Sequence, residues 1–185
     1  MTRLAVGAGV AILLSATTGS AVAVTRGTAP RFEVVATHLN NPRKLFVGAG
    51  GAVYVAEAGR GGRQRCLRFG TEVFCVGLSG SITRVALGTS VRVVTGLWSG
   101  AARDGSQAEG PAAVYVHGRL YYVLLQDTAV TSNGTNELGP DGSTAGSLIT
   151  TGAGRARPAV VVNLAAFEAA HNPDHGAGPG DGSGT

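Results

Sequence analysis

The chain has 185 residues, 44% of them hydrophobic and 14% charged, with 30 glycines, 7 prolines and a formal net charge of +4. So little charge beside so much glycine excludes a helical bundle or coiled coil and suits short strands joined by tight turns. Aromatic residues make up only 5%, so a core must be built from Val, Leu, Ile and Ala. The basic residues are dispersed: Arg60, Arg63, Arg65 and Arg68 form the one cluster, with Phe69 its only aromatic neighbour, so nucleic acid is not an expected partner.

The N-terminus carries an export pattern. Arg3 supplies a positive start, Leu4 to Leu14 is an uncharged apolar run, and Ala21-Val22-Ala23 is an A-x-A cleavage site. Residues 1–23 are therefore expected to form a signal helix, with cleavage near Ala23, residues 24–31 a linker and the mature protein secreted. The run falls short of the roughly 20 residues that span a bilayer, so no membrane partner is expected after cleavage; an uncleaved anchor is the alternative. In an oxidising compartment, Cys66 and Cys75 are expected to form a disulfide that holds down an insertion rich in Gly and Arg. They lack the CxxC spacing and local histidine that a metal site wants.

From Arg31 the chain reads as short strands between turn signals. Strands are expected at Phe32–Ala36, Lys44–Val47, Ala52–Ala56, Ser81–Val85 and Val91–Thr95, with turns at Gly48–Gly51 and Leu87–Ser90. The pattern then restarts with Ala112–Val116, a turn at His117-Gly118, and Arg119–Leu124. A polar, Gly-rich insertion occupies 126–145. Gly146–Thr150 echoes Gly80–Arg84 at an offset of 66, Ala159–Val162 echoes Val91–Val94, and Pro111 follows Pro42 by 69. Leu164 to Ala170 reads as a short helix, and 171–185 as a disordered tail.

Landmarks recurring in one order predict an all-β protein with about two four-stranded blades of a partial β-propeller. The propeller spans 32–170, blade 1 about 32–100 and blade 2 about 104–170. A β-sandwich accommodates the same strands but does not explain the repeat order. Since propellers typically close with about 4–8 blades, the chain is expected to be a fragment.

Several segments resemble the ScyD/ScyE family of secreted proteins, which is abundant in actinobacteria. They are Phe32–Arg43, Ala52–Gly59, the Cys66 to Cys75 insertion, Gly80–Val85, Val93–Leu97, and Asn163–Glu168 before Asn172-Pro173-Asp174. The resemblance implies a six-bladed-type propeller related to NHL-repeat and gluconolactonase-like proteins, with no defined activity to carry over.

No catalytic set emerges from spacing, and neither a cofactor nor a metal is expected. In a propeller, sites lie where loops enter the innermost strands. That position singles out Asn41, Arg43 and Glu57 as a polar rim, against the plainer reading of a turn at Asn41-Pro42 and a solvated acid at Glu57. His171, His175 and Asp181 invite a metal reading, but Pro173 keeps the histidines off one helical face. Asn133-Gly134-Thr135 matches a glycosylation sequon. The expected function is an extracellular binding or scaffold module for an unknown ligand. The alternative is an exported propeller enzyme of the lactonase or quinone-dependent sugar dehydrogenase type.

Overall fold

A computed structural model of the chain describes residues 31–63, 65–126, 137–152 and 157–171. The expected signal peptide, the sequon at 133–135, residues 172–175 and the tail lie outside them. The chain divides into two units, Met1–Glu33 and Val34–Thr185, and the fold described below is that of the second.

The unit is built of two antiparallel sheets. In the first, β1 (Pro42–Val47), β2 (Val53–Glu57), β4 (Glu72–Ala86) and β5 (Thr89–Ala102) form a meander, and β3 (Arg65–Phe69) pairs with the far half of β4. In the second, β6 (Pro111–His117), β7 (Leu120–Leu125), β8 (Ser147–Gly152) and β9 (Ala159–Asn163) form a plain meander, followed by α1 (Leu164–His171). Among the described residues neither sheet closes into a barrel.

The tight turns fall where glycine permits them. Gly50 (φ 69°) and Gly51 (φ 75°) turn β1 into β2, and Leu87 (φ 49°) with Gly88 (φ 73°) joins β4 to β5. Two successive positive φ values match the right-handed twist of a hairpin. Leu87 has no glycine's freedom there, and its side chain stands wholly in solvent.

Two expectations need correction. Phe32–Ala36 is not a strand: 31–39 carries no ladder, and Val34 and Val35 are exposed. Its alternating apolar residues have the propensity, but a strand exists only when another strand pairs with it. The Gly- and Arg-rich insertion is not a loop pinned by a bridge. β4 has 15 residues and β5 has 14, so the hairpin runs on through Gly77 and Gly80, with register shifts there, and β3 joins its far end. Sheet one thus has five strands rather than four. Cys66 and Cys75 are directly opposed across β3 and β4, with Cα atoms 4.0 Å apart, and form the expected disulfide.

The two sheets share one register. Phe46 pairs with Tyr54 as Tyr115 pairs with Tyr122. The row Ala56–Ile82–Val94 corresponds to Leu124–Leu148–Val162, and Val55–Thr83–Arg92 to Val123–Ile149–Val160. The offsets are 69 for the first strand, 68 for the second, 66 for the third and 68 for the fourth.

The sheets meet through one face each. Ala56, Ile82, Val94 and Leu97 pack against Val114, Val123, Leu125 and Ile149, with the closest approach where β1 and β2 face β6. Phe46 meets Tyr115 edge-on at 5.1 Å, and Tyr54 meets Tyr121 at 6.0 Å. A second cluster covers the far end of the long hairpin: Trp98 and Val76 pack with Leu138 and Ala145, from the end of the 126–145 insertion.

The closed loop between the cysteines is short, so replacing both by serine should cost about 2–3 kcal/mol through unfolded-chain entropy. Urea unfolding of the double variant Cys66→Ser, Cys75→Ser measures it, and thiol titration of the native protein should find none free at these positions.

Candidate functional site

Asn41, Arg43 and Glu57 come together at one corner, where β1 begins and β2 ends, because Pro42 pairs with Glu57. Asn41 adopts a left-handed conformation (φ 49°), which asparagine tolerates better than most residues. Its Nδ2 donates to the carbonyls of Gly59 (2.7 Å) and Gly105 (2.8 Å), and its own carbonyl accepts from Ala58 N–H. One side chain thus ties the β2 exit loop to the loop that precedes β6. Arg43 is exposed and donates to the carbonyl of Ala108 in that same loop.

Glu57 is fully buried. Its Oε2 accepts from the Asn40 amide at 2.5 Å and from the Arg92 guanidinium at 2.9 Å, and its Oε1 accepts from the Thr83 hydroxyl. Burial pushes its carboxyl pKa up, but the Asn40 amide, Thr83 and Arg92 together outweigh burial and hold it below the ordinary 4.5. Arg92 is 41% exposed and also donates to the His38 carbonyl at 3.1 Å. Glu57 and Arg92 therefore latch the segment 34–40 across the outer face of sheet one. The latched strap and β4–β5 enclose a groove of about 450 Å³ lined by His38, Thr83, Ser90 and Arg92.

Three partners escape sequence reasoning. Arg92 is the charge in Val91-Arg92-Val93, and Thr83 sits within the repeat motif. Ser99 lies in the far half of β5; it donates to Ala58 O (2.6 Å) and accepts from Gly61 N–H (2.9 Å). A usable signal exists for the first pair: Glu57 and Arg92 stand where the second repeat has Leu125 and Val160. His171 stacks on Phe167 within α1 at 4.2 Å. Among the described residues no three His, Cys, Asp or Glu side chains group as metal ligands.

The arrangement is a set of internal fastenings: the polar groups of Asn41, Arg43 and Glu57 all bond to the protein itself. The exposed chemistry beside them is the open side of the Arg92 guanidinium and the hydroxyl of Ser90 in the groove, which suit a polar or anionic ligand.

Replacing Glu57 by glutamine should cost about 1.5–3 kcal/mol, the range for a hydrogen bond to a charged group. The pKa of Glu57 is lower in the folded state, so its contribution is complete above the unfolded value and disappears as pH falls through the folded one. The stability gap between wild type and Glu57→Gln, read from urea midpoints, should shrink on acidification below pH 4.5. A gap that stays constant would show that the carboxylate charge does not hold the strap.

Comparison with known protein families, with curated proteins and with solved structures gives no match.

Proposed function

We propose that this protein is an exported, non-enzymatic binding or scaffold module whose two sheets are successive blades of a β-propeller, as the likeness to ScyD/ScyE proteins implies. One observation carries the reading: the two meanders share a register strand by strand at offsets of 66–69, as successive copies of one unit do. The manner of packing supports it. The sheets converge at their first strands, β1 and β6, as blades do at a propeller's centre. The Cys66–Cys75 disulfide is compatible with an oxidising, extracellular setting.

The binding reading, rather than catalysis, rests on how the rim residues are engaged. Asn41, Arg43 and Glu57 hold loops and strap in place, and the ligand surface is the groove of Arg92, Ser90 and His38 beside them.

Expression of the full-length chain from its own start in an exporting bacterial host should release a product beginning near Val24. A cytoplasmic, unprocessed product would overturn the export claim. The purified protein should turn over neither sugar lactones nor aldoses, with calcium present and with or without added quinone. Turnover of either would overturn the non-enzymatic reading.

A further inference from the structure

The interface between the two sheets uses one face of each, and the other two faces lie outside it. Sheet one offers an acceptor face, with Phe46, Tyr54, Ala56, Ile82 and Val94, and sheet two seats a donor face on it, with Val114, Val116, Val123, Leu125 and Ile149. Because the registers coincide, sheet two carries an acceptor face of its own on its far side. Tyr115, Tyr122, Leu124, Leu148 and Val162 stand at the positions of Phe46, Tyr54, Ala56, Ile82 and Val94. The Phe46 ring meets the edge of this row at Tyr115, and the row is otherwise open to solvent: Tyr115 is 52% exposed, Leu124 37% and Val162 40%. A shallow apolar groove runs between Tyr115, Tyr122, Leu124 and Leu148.

By the same correspondence, sheet one carries a second donor face. Leu45 and Val47 stand where Val114 and Val116 stand in sheet two, and Val55 where Val123 stands. Leu45 is 62% exposed and Val47 60%. The other half of that face holds the Glu57–Thr83–Arg92 cluster under the strap, whose Val34 and Val35 are exposed.

We infer that copies of this chain associate head to tail, the Leu45–Val47 face of one copy seating on the Tyr115–Leu124 face of the next. This rests on the reading of the sheets as successive blades. The occupant is a second copy because the contact required already exists inside each chain: aliphatic side chains of a first strand laid against the aromatic and aliphatic row of the preceding sheet. A two-fold contact between two Leu45 faces would bring the half-exposed Arg92 of each copy toward its like. A two-fold contact between two Tyr115 faces would oppose Leu124 to its like, whereas within the chain the equivalent Ala56 packs in a cluster with Val114, Val123, Leu125 and Ile149. Head-to-tail contacts close into rings when the rotation allows.

The test uses two single variants, Leu45→Lys on the donor face and Leu124→Lys on the acceptor face. Both positions are solvent-exposed in the single chain, so both variants should fold, which circular dichroism and thermal melting verify. By light scattering, wild type should have a mass of at least two chains, and each variant alone the mass of one. Mixing the two variants should restore association, but only to a pair, because each retains one intact face. Three results would each overturn the proposal. One is a wild type of single-chain mass at its highest soluble concentration. Another is a Leu45→Lys variant that assembles as wild type does, which would mark a two-fold contact of the Tyr115 faces. The third is a mixture of folded variants that stays at single-chain mass. Any of these, with the variants folded, leaves the binding-module reading standing, whereas lactone turnover removes that reading and leaves the association untouched.

Discussion

The row Ala56–Ile82–Val94, pressed against Val123 and Ile149, fixes the positions of nearly everything else. Ile82, Val123 and Ile149 are wholly buried, and each such side chain contributes about 1.5–3 kcal/mol by leaving water. Side chains alternate faces along a strand, so burying this row commits Leu45, Val47 and Val55 to the opposite side of sheet one. The same alternation in sheet two turns Leu124 and Leu148 away from the core. One packing choice therefore creates both the interface and the two surfaces that flank it.

Close approach of the sheets depends on small residues at set points. A side chain at Gly80 would meet Pro111 Cδ and the Trp98 carbonyl, each at 2.7 Å, so glycine there lets β6 begin beside the bend in the long hairpin. A side chain at Gly59 would meet Ser99 Oγ and the Ser79 carbonyl. The hydroxyls of these two serines hold the loop after β2, that of Ser79 accepting from Arg60 N–H and donating to the Gly61 carbonyl. The corner built by Asn41, Ser79 and Ser99 thus forms only because glycines leave room for backbone-to-hydroxyl bonds. Such fastening serves the loops well, since a buried loop must find partners for its amides and carbonyls.

Much of the fold is legible in the sequence because alternation and glycine turns are local signals. Val53 to Glu57, Leu120 to Leu125 and the Leu87-Gly88 turn need no distant partner to be recognised. The repeat is legible because its landmarks return in order, and the disulfide because the N-terminal export pattern leads one to expect an oxidising compartment. What escapes is what tertiary partners decide. Gly77 and Gly80 lie outside the expected strands, yet β4 passes through both because β5 accompanies it. Phe32 to Ala36 reads as a strand and is none, for want of a neighbour. Glu57 reads as a rim acid open to solvent. It is instead buried against Arg92, 35 positions away, through a strap whose course no local pattern encodes.

The two repeats differ most where Glu57, Thr83 and Arg92 replace Leu125, Ile149 and Val160. Sheet two has an aliphatic donor face because another sheet covers it. Sheet one has the equivalent face half converted to charge. A buried carboxylate tolerates that position only with its hydrogen bonds satisfied, and the Asn40 amide, Thr83 and Arg92 satisfy them. Outer units of repeat proteins are commonly polar on the side away from their neighbours, which keeps that face soluble. Here the conversion stops at β2: Leu45 and Val47 on β1 remain aliphatic and exposed, while the strap covers only the β4–β5 half. A face meant solely for water would have been polar across its full width. Its division into a latched polar half and an open apolar half gives it one orientation, and the aromatic row of the next acceptor face is the surface that matches it.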